Sequence, residues 1–464
     1  MHIHPQLHIH HSTARDMTQG SIVMQLVAFS LPLMLGNIFQ MLYNTVDSVV
    51  VGNFVGTEAL AAVGSTTMIV NIMVFFFNGF ATGASVVIAR RFGARDNESL
   101  HTAIQTTMAA TFILAVLFTV LGLLSVDPML RLMATPDDVF DHAALYLRIY
   151  IGGFSGLVIY NMCSGILRAV GDTTRPLYFL VLTSVLNIVL DLFFVLNLKA
   201  GIAGVAYATI ISQFISAGLT LVVLTCTKDV YRMDWRELKI DRAVLGEIIQ
   251  VGLPAGIQSI VTAVSNVFVQ SYINVFGSLC MAGWSAYNKL DQFVLLPMQS
   301  FAMASTTFVS QNIGAQKIKR AEKGTYITTG LTLLITGVII ALLEIFAAPS
   351  VELFSQDPDV VRFGVLFIRA NVWFLLFNCV NHVLAGALRG MGDSKGPMLI
   401  MILTFVAVRQ TYLFIMTRYI INTPLSVGVG YPVGWVSCCI VETVYFLLRR
   451  KRLLYGKAET LETV

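Results

Sequence analysis

Charge is what this chain has least of. Lys, Arg, Asp and Glu together make up 12% of its 464 residues, against about 25% in soluble domains. Hydrophobic residues make up 56%, and mean hydropathy is +0.76. That excludes a soluble globular protein and leaves an integral membrane one. The net charge of +4 is too small to imply a nucleic-acid partner. Cysteine is sparse and unpatterned. Cys163, Cys226, Cys280, Cys379, Cys438 and Cys439 form no CxxC pair, so neither a disulfide framework nor a zinc site is indicated. They read as small buried hydrophobes. No phosphate-binding glycine loop of the G-x-x-x-x-G-K-[ST] type occurs, so ATP is not implied. Histidine is also scarce outside the first residues. His142 and His382 are too isolated for catalysis, and an enzyme is not expected. No cofactor or metal is expected either.

The chain opens "MHIHPQLHIHH", which holds five of the eight histidines. A metal-binding tract is one reading. A tag or an extended start is favoured, with Met17 as the natural first residue. Residues 1–16 are therefore set apart as a His-rich tail.

About 20 apolar residues cross the hydrocarbon core as a helix. Twelve such runs lie near residues 24–52, 60–89, 102–125, 142–167, 176–197, 201–226, 247–276, 279–311, 326–348, 363–388, 397–420 and 426–448. The expected fold is all-α, with twelve transmembrane helices. Several runs exceed 25 residues, so tilt or extension beyond the lipid is expected. Pro32 and Pro254 fall inside runs one and seven, where helix bends are expected. Of the 30 Lys and Arg, 22 lie in the even-numbered connections and the terminal segments. Those stretches include "RRFGARDNES", "QKIKRAEK" and the tail "RRKR". The positive-inside rule then places both termini in the cytoplasm of a multi-pass cell-membrane protein.

The chain also repeats itself. "GILRAVGDTTRP" at 165–176 matches "GALRGMGDSKGP" at 386–397, an offset of 221 residues. At that offset Gly93 falls on Gly314, Gly56 on Gly277 and Arg148 on Arg369. The expected organisation is an N-lobe at 17–226 and a cytoplasmic linker at 227–246. A C-lobe at 247–448 and a basic tail at 449–464 follow. Six spans per lobe is even, so both lobes insert the same way up. Their relation is a pseudo-two-fold axis along the membrane normal, with a substrate site between them.

Polar groups inside the spans carry the functional reading. Asp47 lies about five residues before the outer end of run one, and Asp191 about six before the outer end of run five. Both therefore sit roughly 8–9 Å in from that edge. Asn187 is one turn from Asp191, and Thr209 in run six has a similar depth. All four supply oxygen, which suits a hard monovalent cation or a shared proton. Two adjacent carboxylates cannot both stay freely ionised. The alternative is that each Asp is locked in a structural hydrogen bond. The second half lacks the set: Asp47 maps to Phe268, Asn187 to Val408 and Asp191 to Tyr412. The symmetric Arg148 and Arg369 read as structural. Arg409 is expected to have a carboxylate partner, and Glu442 to reach the basic interface. Lys289 and Asp291 either line a cleft or, for Lys289, snorkel outward.

With these features in place the chain resembles the multidrug and toxic compound extrusion (MATE) family over essentially residues 20–450. The resemblance rests on "VDSVVVGNFVGTEALAAVG", "GASVVIARRFGARD", "YLRIY" and the paired "LRAVGD" and "LRGMGD". It is closest in pattern to the DinF-like and MepA-like branch. It implies two six-helix lobes around a V-shaped cleft and export of cationic or amphipathic small molecules by antiport with Na⁺ or H⁺. A monomer in the lipid bilayer is expected. The coupling site it implies falls on Asp47, Asn187, Asp191 and Thr209, with Tyr146 and Asn161 of run four in the neighbouring network. NorM-type members carry acids in spans seven and ten, where this chain has Thr262 and Asn378. That departure concentrates coupling in the N-lobe. A lipid-linked precursor or polysaccharide flippase of the same architecture is the alternative. It calls for a basic cleft.

Overall fold

The computed structural model describes residues 14–133 and 135–454. Most of the expected His-rich tail, residues 1–13, and the end of the basic tail, residues 455–464, lie outside the described residues. Among the described residues the chain is all-helical, with no strand. Eleven helices are long and apolar enough to cross a bilayer, and a bent pair makes a twelfth crossing. In chain order the first six spans are Ile22–Val55, Ala62–Ala94, Asn97–Leu132, the bent pair Val139–Gly152 and Phe154–Ala169, Thr174–Asn197, and Gly201–Cys226. The last six are Arg242–Asn274, Ser278–Gly314, Ile318–Ile345, Pro358–Met391, Lys395–Ile420 and Pro424–Lys451.

Each apolar run is found at its expected place, and most helices overrun it. Span three, expected over 102–125, runs from Asn97 to Leu132. Its polar start is held by Asp96, whose carboxylate accepts the Ser99 N–H at 3.0 Å, a side-chain cap for the first turn. Hydropathy marks the part of a helix in lipid, not the part beyond it. Pro32 and Pro254 lie within unbroken helices, Ile22–Val50 and Arg242–Asn274. A break with a 45° bend falls in span four at the Gly152–Gly153 pair, a sequence that yields easily to kinking.

Each set of six spans has its own apolar core. The connector between them rests on the first set. Tyr231 and Met233 are buried there, and Trp235 stacks on Phe112 of span three at 5.5 Å. Gly56 and Gly277, equivalent in the repeat, both take positive φ (+130° and +88°) at the turn into the next span, a conformation that favours glycine.

The two sets meet through glycine. A Cβ on Gly79 would stand 2.4 Å from the Gly256 nitrogen, and one on Gly83 would stand 2.2 Å from the Ile248 oxygen. Spans two and eight cross at Gly93 and Gly314, where a Cβ would stand 2.0 Å from the Gln311 oxygen and 1.8 Å from the Arg90 oxygen. All of these lie in the helix halves nearest the chain's basic end. Gly64, near the other end of span two, meets nothing within 4 Å. The halves are thus sealed backbone to backbone at the basic end, and no such approach is made at Gly64.

Candidate functional site

The spans that carry Asp47 and Asp191 end alike. Span one closes in a widened turn at Val51–Val55, where Gly56 N–H bonds the Val51 oxygen five residues back at 3.1 Å. Span five does the same at Phe193–Asn197, with Leu198 N–H on the Phe193 oxygen at 3.2 Å. Turns of this kind add a residue to the helix and often mark functional positions. They pack against each other, and the two acids sit just before them.

The two carboxyl groups come within hydrogen-bonding reach of each other. Asp191 is fully buried and Asp47 partly so. Among the described residues Oδ1 of Asp47 and both oxygens of Asp191 have no hydrogen-bond donor, and neither amide atom of buried Asn187 has a partner. Ionised carboxylates only accept hydrogen bonds. Two that face each other in a low-dielectric interior are stable when a proton or a small cation is shared between them. Thr209 is buried and gives its hydroxyl proton to the Val205 carbonyl at 3.0 Å, which leaves its oxygen an acceptor. The donor set is oxygen throughout and fits a hard monovalent cation or a proton.

Three tyrosines lie in electrostatic range of the pair. Tyr43, one turn before Asp47, lies in electrostatic range of both acids and of Tyr146 and Tyr150. Tyr146 likewise senses both acids, and Tyr150 senses Asp47. The Tyr146 and Tyr150 rings stack at 6.0 Å, and Gln213 Nε2 donates to the Tyr150 hydroxyl at 3.5 Å. Tyr43, Tyr150 and Gln213 were not anticipated from the sequence. The signal was present in the one-turn spacings Tyr43–Asp47, Tyr146–Tyr150 and Thr209–Gln213. Asn161 lies beyond the bend in span four. Among the described residues it makes no hydrogen bond to any member of this group.

The equivalent place in the second half is different. Phe268 is exposed, and the Tyr412 hydroxyl donates to the Ser426 carbonyl at 3.2 Å. Thr262 donates to Gln258 in its own helix at 2.9 Å, and Asn378 is buried. Arg409 has no carboxylate partner among the described residues, contrary to expectation. It is buried, donates to Ser265 Oγ and to Asn266 Oδ1, and lies 5.1 Å from the rings of both Phe405 and Tyr431. Neutral oxygens and aromatic faces stand where a carboxylate was expected, and its Nε has no hydrogen-bond partner among the described residues. Glu442 does not reach the interface. It is fully buried, with Arg389 of span ten its charged neighbour. Lys289 is exposed and lies over Phe354 at 5.3 Å. Arg148 pairs with Asp127 at 2.7 Å and Arg369 with Glu344 at 3.7 Å. Each ties its span to the one before it in the repeat, as a structural role requires.

The sequence model of the MatE family matches this chain twice, over residues 32–193 and 254–411, once in each half. The chain is 30% identical to the probable multidrug resistance protein YoeA of Bacillus subtilis, over 94% of this chain and 96% of that one. It is 31% identical to the probable multidrug resistance protein YpnP of the same organism, over 92% and 95%. Among solved structures it is similar to an outward-facing conformation of a multidrug resistance MATE family transporter. The TM-score there is 0.89 and the identity 26%, over 95% of this chain and 99% of that chain.

Proposed function

The chain belongs to the MatE family of multidrug efflux transporters, and from that premise we propose that it exports cationic or amphipathic small molecules by antiport with Na⁺ or H⁺ bound between Asp47 and Asp191. The observation that supports this reading is a pair of carboxyl groups within hydrogen-bonding reach of each other, with buried Asn187 and Thr209 near them, inside an apolar bundle. The basic end of the molecule faces the cytoplasm, in accord with its excess of Lys and Arg. The conformation sealed at that end is then open to the outside.

The cycle follows. With the cleft open outward, a cation binds between the two acids. Asp191 and Asn187 hold it from span five, Asp47 from span one, and Thr209 supplies a further oxygen. Binding draws spans one and five together and weakens the hold on substrate. The basic end then parts, the cation leaves to the cytoplasm, and a new substrate loads. For a neutral substrate exchanged against one cation, the membrane potential adds about 2.3 kcal/mol per 100 mV. The acids in the first half also favour this reading over a pyrophosphate-lipid flippase, whose substrate would call for basic groups there.

The test is efflux of a cationic dye from loaded vesicles holding the purified protein, with an imposed Na⁺ gradient in one arm and a pH gradient in the other. One arm is expected to drive efflux. Absence of gradient-driven efflux in both would refute the proposal. Within it, Tyr43→Phe removes one hydroxyl in electrostatic range of the pair and keeps the ring. The cation concentration for half-maximal efflux is expected to rise about 3- to 10-fold, the range set by one hydrogen bond.

A further inference from the structure

The seal at the basic end is not only a glycine crossing. At position 90 of the first half, Arg90 sends Nη2 across to the Gly390 carbonyl of span ten at 3.4 Å. At position 311 of the second half, Gln311 sends Nε2 across to the Ala169 carbonyl of span four at 2.8 Å. Arg90 and Gln311 are equivalent in the repeat, and so are Ala169 and Gly390. The two contacts are therefore one interaction made twice about the pseudo-two-fold axis. Each donor stands beside the crossing glycine of the opposite helix, since the Arg90 oxygen abuts Gly314 and the Gln311 oxygen abuts Gly93.

The symmetry breaks at one point. Gln311 is fully buried, and its Oε1 accepts the Met17 N–H at 2.9 Å. Residues 15–19 run through the junction and bond to both halves. Arg15 N–H reaches the Val170 oxygen at 2.9 Å in the first half. In the second half, Asn312 Nδ2 donates to the Met17 oxygen at 3.3 Å, and Lys317 Nζ donates to the Thr18 oxygen at 2.9 Å. Arg320 donates to the Gln19 oxygen at 2.9 Å. One buried amide thus joins three chain segments, using both its donor and its acceptor.

We propose that Arg90 and Gln311 are reciprocal positioning residues that hold the basic end closed, and that Gln311, by also binding the Met17 amide, couples the segment 15–19 to the opening of that end. Their donors reach the opposite half only while spans two and eight remain crossed. Any separation of the lobes at this end breaks both bonds together. They therefore bias the balance between the two cleft orientations without touching substrate or cation. The transport consequence rests on the antiport reading above; the closure itself does not.

The test uses the full chain in lipid vesicles, with the native cysteines replaced and spin labels at Glu98→Cys and Lys319→Cys, both exposed and on opposite halves. Gln311→Leu is expected to add a population at longer inter-label distance. It should lower the KM for dye presented at the basic end about 3- to 10-fold, with a smaller change in maximal rate, because more molecules are open to that side. Gln311→Glu keeps the acceptor for Met17 and loses the donor to Ala169, so it should also lengthen the distance. Arg90→Gln keeps a donor and should stay near wild type, whereas Arg90→Met should not. If Gln311→Leu fails to insert, Gln311→Glu and Arg90→Met read the same quantities. Unchanged distances and KM in inserted variants would overturn the proposal. A wild type that shows no gradient-driven efflux sinks the antiport reading instead, and leaves the distance test intact.

Discussion

Asp47→Asn and Asp191→Asn are each expected to abolish gradient-driven efflux while the protein still inserts and still binds dye. An amide has nearly the shape of the acid, so the fully buried position at Asp191 keeps its packing. It cannot take up or release a proton, and it offers a cation a weaker, uncharged oxygen. The two carboxyl groups lie within hydrogen-bonding reach, so loss of either removes the shared site. For a monocationic dye exchanged one for one against Na⁺ or H⁺, an imposed gradient of about tenfold supports roughly a tenfold concentration ratio of dye. In both variants that ratio is expected to fall to about one. Substrate-for-substrate exchange should survive, because it needs no cation. Vesicle efflux under an imposed gradient, beside exchange of labelled dye at equal concentrations, separates the two. Full concentrating power in either variant would exclude the pair as the coupling site.

Gly314→Val is the second change of large expected effect. Its Cβ would stand 1.8 Å from the Arg90 carbonyl oxygen and 3.0 Å from the Ala94 nitrogen. Both are backbone atoms of span two, and neither can rotate away. The helices must part, and the seal goes with them. Overpacking of this kind typically costs about 1–3 kcal/mol where side chains can yield; here nothing yields. A bias of about 3 kcal/mol already shifts a two-state balance by more than 100-fold. Transport is expected to fall by about that factor, with the inter-label distance at the basic end lengthened. Gly64→Val is the control. It lies in span two, meets nothing within 4 Å, and should transport near the wild-type rate. A Gly314→Val protein within a few-fold of wild type would show that this crossing takes no part in the cycle.

Much of the molecule was legible as a string. Twelve apolar runs, the 221-residue repeat and the matching depth of Asp47 and Asp191 follow from hydropathy, spacing and the rise of a helix, which are properties along one dimension. The depth argument rests on both acids lying on spans that run the same way, at similar distances from their ends. Arg409 and Glu442 show where that reasoning stops. Each was placed at a plausible depth, but depth does not choose a neighbour. Arg409 bonds Ser265 and Asn266 and lies over two aromatic rings, and buried Glu442 accepts from Cys438 one turn back. The azimuth of a side chain about its helix and the packing of that helix on others decide such pairings.

The same division runs through the site and the seal. By itself the sequence determined that a charge must be explained at Asp47, that Asp191 shares its depth, and that the second half has no such pair. Only the tertiary structure brought the two carboxyl groups within hydrogen-bonding reach and Tyr43, Tyr146 and Tyr150 into electrostatic range of them, while Asn161 makes no hydrogen bond to the group among the described residues. It alone showed that Gly93 and Gly314, alike in the repeat, mark the crossing where the halves close. A bent span and two widened turns set those directions, and they arise from packing between helices, which no single segment encodes.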